Sequence, residues 1–139
     1  MYTYEYPRAA ITTDALLFVK MNREIHILLI RRGKQPFKDH WALPGGFVEM
    51  SETLEESCIR ELKEETGLEV DKLAQFKAYD SIDRDPRGRT ISVVYYKEID
   101  RPMAVIADDD AAEAAWHPIS NLPLLAFDHL QIINEFFST

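Results

Sequence analysis

Two hydrophobic periods alternate along this chain. Residues 11–20 are dense in Leu, Val and Phe and read as a strand. Met21-Asn22-Arg23 reads as a turn, with residues 24–31 as the hairpin partner. A polar loop, 32–40, leads into an extended piece, 41–49, broken at Pro44-Gly45-Gly46. The period then changes to that of a helix over 54–66. Leu54, Cys58 and Leu62 recur at i, i+4 and i+8 with Ile59 beside them, forming a buried stripe. Thr53 and Glu56 have capping-box spacing, and Gly67 stands where a helix-ending glycine belongs. Residues 73–83 and 90–99 read as strands joined by the turn Arg84-Asp85-Pro86-Arg87-Gly88. A short strand over 102–107, a loop at Asp108-Asp109-Asp110 and a last strand over 114–119 follow. A terminal helix runs from about 126 to 137, with Leu130, Ile133 and Phe137 at helical spacing. This order predicts an α+β fold, a mixed β-sheet between helices in an α/β/α sandwich.

Composition narrows the class. The 139 residues suit one domain, 1–139, large enough to bury a core without disulfides or structural metal. No apolar run approaches the roughly 20 residues a membrane span needs. The amino terminus lacks the basic and apolar regions of a signal peptide, so the expected address is the cytoplasm. The single cysteine, Cys58, falls on the buried stripe, which excludes an internal disulfide and argues against covalent catalysis. A net charge of −8 argues against a nucleic-acid partner, which would need a basic face.

The location of that charge matters more than its size. Residues 49–65 hold seven acids and two bases, a net of −5. Glu55 and Glu56 lie in the first turn of the predicted helix, where the dipole favours them. Glu61, Glu64 and Glu65 lie in its last turns, where the dipole disfavours anions, and their i, i+3, i+4 spacing points them one way. Two readings fit: a solvated acidic face relieved by Arg60, or a site for a hard cation such as Mg2+ or Mn2+, which prefers carboxylate oxygens.

The surrounding residues favour the second. Gly46, Glu52 six positions on, and then Arg60-Glu61-Leu62-Lys63-Glu64-Glu65-Thr66-Gly67-Leu68 fill the pattern G-x5-E-x7-R-E-U-x-E-E-x-G-U, where U is apolar. This resembles the Nudix box, the signature of the Nudix hydrolases. The resemblance implies a Nudix-type α/β/α sandwich. It implies that Glu61, Glu64 and Glu65 bind divalent cations, with the Gly46 carbonyl able to join them. Arg60 would orient the cluster and Glu52 would assist at the metal or its water. The reaction implied is hydrolysis of a diphosphate linkage by metal-activated water.

Outside the box, Arg84, Arg87 and Arg89 surround the Asp-Pro turn and Arg31-Arg32 closes a strand; both are candidate substrate-binding groups. The Arg84–Arg89 turn, the approach Leu43-Pro44-Gly45-Gly46-Phe47-Val48-Glu49, and Trp116-His117-Pro118 with Leu125-Ala126-Phe127-Asp128-His129 resemble the bacterial and archaeal ADP-ribose pyrophosphatase branch. That likeness implies cleavage of ADP-ribose to AMP and ribose 5-phosphate. It also implies a homodimer, for which Tyr2, Tyr4 and Tyr6 are candidate interface residues. The general base stays open between Glu113 and the 108–110 loop, and the residue that stacks adenine is open among several aromatics. His129, in the Asp-His pair that opens the last helix, reads as a cap-region residue, with a substrate contact as the alternative. Nudix enzymes of nucleoside triphosphates or other nucleotide sugars are alternatives. So is the ADP-ribose-sensing Nudix half of transcriptional regulators of NAD metabolism, which require a winged-helix extension for DNA. The charge and the end of this chain at Thr139 favour the hydrolase.

Overall fold

Strand β1 (Ala10–Met21) is apolar on both sides, so it must lie inside a sheet covered on both faces. In the computed structural model, which describes residues 3–107 and 111–138, it does. Ala15 and Leu17 face one core with Cys58, Leu62 and Leu68; Leu16 faces the other with Ile132 and Ile133. The layers are therefore helix, sheet, helix. The helices are α1 (Leu54–Thr66) and α2 (His129–Phe137). Among the described residues no helix is long and apolar enough to cross a membrane.

The other strands are β2 (Glu24–Arg32), β3 (Trp41–Ala42), β4 (Gly45–Phe47), β5 (Ala74–Tyr79), β6 (Thr90–Ile99) and β7 (Ala111–Pro118). The sheet path is β3-β2-β1-β6-β5, with β7 on β2 and β4 on β1. β1 and β6 run parallel from Ala10 opposite Thr90 to Val19 opposite Ile99; the remaining pairs are antiparallel.

One departure from regularity creates the site. β1 and β2 are paired only at their hairpin end, from Met21–Glu24 to Phe18–Ile27. Beyond it they part, and β1 takes β4 as its neighbour while β2 takes β3. The break expected at Pro44 is where the extended piece passes from one strand to the other, with Ala15 N–H bonded to the Pro44 carbonyl at 2.7 Å. The wedge between the diverging strands is a cleft.

The predicted elements need three corrections. Residues 102–107 form no strand; they run as coil, tied to the end of α1 by the Ile106 N–H on the Thr66 carbonyl. The strand expected over 73–83 stops at Tyr79, because the Asp-Pro turn begins earlier, with Arg84 N–H bonded to the Ser81 carbonyl. The last helix starts at His129, since Ala126 is held in the sheet region by its N–H on the Trp41 carbonyl. The Asp108–Asp110 loop and Tyr2 lie outside the described residues; Tyr4 and Tyr6 are exposed.

Candidate active site

Helix α1 is set rigidly before any chemistry is placed on it. Thr53 accepts from Glu56 N–H and Glu56 accepts from Thr53 N–H, completing the capping box. Gly67 ends the helix at φ +77° with its N–H on the Lys63 carbonyl, a conformation that costs a glycine nothing. Cys58 and Leu62 are fully buried, which locks the rotation of the rod. Burial pushes the Cys58 thiol up, so it is not a nucleophile.

That rotation turns Glu61 and Glu65 into a cleft of about 360 Å3. Asp14, Arg32, Gly45, Gly46, Phe47, Arg60, Arg84, Asp85, Arg87, Phe127 and His129 also line it. Glu65 is nearly buried and accepts the Gly45 N–H at 2.7 Å. Burial, with Glu61 and Asp14 nearby, pushes its carboxyl well above the usual range, and the Gly45 bond only partly opposes this. Glu61 lies so close to Gly46 that a Cβ there would stand 2.6 Å from its carboxyl carbon.

Arg60 is the hub of the cluster. It bonds Glu52 through two nitrogens at 2.6 and 2.9 Å, Glu61 at 2.7 Å, Glu64 at 3.2 Å and the Phe47 carbonyl at 3.3 Å. The Arg60 bonds hold the Glu52 carboxyl down to about 2. Among the described residues no three side-chain ligands close on one point, because the carboxylates gather on this guanidinium instead. The donor set nonetheless fits a hard divalent cation: it is all oxygen, and Glu65 is a buried carboxylate short of positive charge.

The arginines divide. Successive strand residues face opposite sides, and the β2–β7 register also shifts between Arg31 and Arg32. Arg32 therefore enters the cleft. Arg31 lies outside its lining and pairs with Asp39 at 2.9 Å and with Glu113, its cross-strand neighbour, at 3.5 Å. Arg84 is buried and clasps Asp128 through two nitrogens at 2.6 and 2.9 Å. Asp128 consequently makes no side-chain cap on α2. Arg87 bonds Asp85 and lines the cleft, whereas Arg89 bonds the Asp80 carbonyl outside it.

Sequence reasoning missed Asp14, Gly45, Phe47, Asp85 and Phe127 as cleft residues, and it preferred the cap to a substrate contact for His129, which lines the cleft. His129 is buried; its Nδ1 accepts the Leu43 N–H at 3.0 Å and its Nε2 stands 3.7 Å from Asp14. Burial raises the Asp14 carboxyl, but His129, Ser92 and Arg84 outweigh it and hold it below the usual range. An acid placed directly before the apolar run Ala15–Val19 was the available signal for Asp14.

Comparison with known proteins places this geometry. The NUDIX domain model matches residues 10–136. An ADP-ribose pyrophosphatase of Methanocaldococcus jannaschii is 44% identical over 94% of this chain and 75% of its own length. The ADPR responsive transcriptional repressor NtrR of Acinetobacter baylyi is 33% identical over 96% of this chain, which spans 55% of that relative. Among solved structures, the NUDIX domain of Shewanella oneidensis NrtR complexed with ADP ribose superposes with a TM-score of 0.89 at 30% identity. That match covers 96% of this chain and 89% of the other. Family model, sequence relatives and fold agree with the box on α1, and this chain belongs to the Nudix family as a Nudix hydrolase.

Proposed function

We propose that this protein hydrolyses ADP-ribose to AMP and ribose 5-phosphate with Mg2+. One observation carries the reading: a single cleft has the box carboxylates Glu61 and Glu65 among its lining residues together with the guanidiniums of Arg32, Arg84 and Arg87. Acids suited to cations beside arginines suited to phosphate make a site for a diphosphate. The archaeal relative's pyrophosphatase activity and the ADP-ribose held by the NrtR domain support the choice of substrate.

In this reading Glu61, Glu64, Glu65 and the Gly46 carbonyl hold the metal. When bound, Mg2+ neutralises the diphosphate oxygens and acidifies a water. The side chains do the rest. Arg32 and Arg87 bind and orient the phosphates, and Arg84, fixed by Asp128, supplies positive field behind them. Arg60, braced by Glu52, sets the carboxylate positions. Water adds at one phosphorus and releases its protons to solvent, the bridging P–O bond breaks, and the leaving phosphate carries away the electron pair. Glu113 and Arg31, paired with each other outside the cleft lining, have no part in this scheme. Cytoplasmic location and a homodimer complete the reading, on the family resemblance and the exposed Tyr4 and Tyr6.

The test is incubation of purified protein with ADP-ribose and Mg2+, separating products by chromatography. AMP in stoichiometric yield is expected. Efficient cleavage of a nucleoside triphosphate without AMP release from ADP-ribose would overturn the substrate. A second reading, ADP-ribose as a bound signal, is favoured by the likeness to the NtrR repressor. Tight ADP-ribose binding without turnover would select it.

A further inference from the structure

Four cleft residues are linked by cation–ring contacts. The Arg87 guanidinium carbon stands 4.8 Å from the Phe47 ring centre and 5.5 Å from that of Phe127, and the Arg32 carbon stands 5.1 Å from Phe127. They come from β4, the Asp-Pro turn, the approach to α2 and the end of β2, so only the fold assembles them. Two guanidiniums over one ring repel each other, and the ring's face, negative in its quadrupole, attracts both and offsets that repulsion. Burial lowers the Arg32 pKa, and the charge of Arg87 lowers it further, which records the repulsion.

Phe127 is held at a price in backbone strain. Its φ of +52° lies in the left-handed region, which side chains other than glycine rarely adopt. Such strain persists only where neighbours over-determine it, and it gathers at functional sites. Here Ala126 on one side is bonded to Trp41, Asp128 on the other is clasped by Arg84, and the ring centre stands 4.9 Å from that of Phe37. The ring is thus fixed among the residues that line the cleft.

We propose that Phe127 is a positioning residue for specificity: its ring holds Arg32 and Arg87 as a spaced pair, so the cleft selects ligands with two linked phosphates over those with one. A monophosphate engages one guanidinium, whereas a diphosphate engages both. The inference deepens the reading of the cleft as a diphosphate site and rests on it.

The test compares ADP with AMP by titration calorimetry in EDTA, on wild type, F127L and F127Y, with thermal melts confirming that each variant folds. Wild type prefers ADP by about 10-fold or more, the scale of one added hydrogen bond between charged groups at the second phosphate. F127L, which keeps the bulk and loses the aromatic face, loses about 10-fold in ADP affinity and leaves AMP affinity as it was. F127Y, which restores the face, keeps the preference. In turnover of ADP-ribose, F127L raises KM by more than it lowers kcat; a merely structural role would lower kcat and Tm together. Equal weakening of ADP and AMP in folded F127L, or no preference for ADP in wild type, overturns the proposal. If wild type fails to cleave ADP-ribose yet shows an ADP preference that F127L loses, the substrate reading fails and the paired-arginine role of Phe127 stands.

Discussion

Gly45 separates two acids: its N–H donates to Glu65 at 2.7 Å, while Asp14 lies opposite it across the β1–β4 register. A Cβ at this position would meet the Thr13 carbonyl oxygen and stand 2.5 Å from Asp14 Oδ1 and 2.9 Å from Asp14 Cα. At the next residue, Gly46, the three atoms nearest to a Cβ would all belong to the Glu61 carboxylate. Neighbouring glycines therefore have different consequences.

Gly45→Ala must displace backbone, so we expect it to destabilise the fold by about 1–3 kcal/mol, the usual cost of overpacking. Gly46→Ala pushes aside the end of a flexible side chain. It should keep its urea midpoint near wild type while losing most of its kcat through misplacement of Glu61. Paired urea melts and kinetics check this, and equal destabilisation by both would refute the distinction.

Glu65→Gln replaces a carboxylate that burial and two neighbouring acids make costly to ionise. A carboxyl with a raised folded pKa destabilises the fold at pH above its unfolded value near 4.5, and the amide removes that cost. Without metal at pH 7, Glu65→Gln should melt above wild type. Adding Mg2+ should raise the Tm of wild type more than that of the variant, because ligand binding to the folded state stabilises it.

Loss of metal ligands should also show in rate. Glu64→Gln is expected to fold normally, its side chain being partly exposed, and to lose on the order of 100-fold or more in kcat. EDTA should abolish turnover by wild type, and Mg2+ should restore it. Wild-type rates in Glu64→Gln would remove Glu64 from the metal site.

Far from the cleft, Glu135 binds Lys77 at 2.9 Å, Gln131 at 3.0 Å and Tyr79 at 2.8 Å, and these bonds hold its carboxyl down to about 2. A depressed folded pKa gives stability that is present above the unfolded value near 4.5 and is lost as pH falls through about 2. Glu135→Gln should therefore melt below wild type at pH 7, with the gap closing between pH 4.5 and 2. A gap that does not change with pH would assign the effect to packing.

Arg84 and Asp128 form a buried pair, and removing one partner strands the other charge. Asp128→Ala should cost about 3 kcal/mol in urea unfolding. The same change should weaken binding of diphosphates, since Arg84 lines the cleft and loses its anchor.

What the sequence by itself determined is whatever depends on neighbours within a few positions. The capping box of Thr53 and Glu56, the Cys58–Leu62 stripe, the Gly67 terminus and the spacing of Glu61, Glu64 and Glu65 are all local to one helix, and each is present as read. The run of Leu, Val and Phe over 11–20 likewise announced a strand. Local rules failed where a distant partner intervened. The α2 start moved to His129 because Trp41 holds Ala126, and Asp128, at the N-cap position, makes no side-chain cap because Arg84, 44 residues away, takes its carboxylate. Whether an arginine faced the cleft depended on strand pairing: Arg32 entered it, while the adjacent Arg31 met Glu113 on β7. Asp14, Gly45, Phe47, Phe127 and His129 belong to the cleft only because β1 and β2 part and let β3, β4 and the approach to α2 fill the wedge. Helical spacing fixes the relative positions of the acids, since it is a property of one segment's geometry. The surroundings of those acids are set by contacts between remote segments, and only the folded chain brings these together.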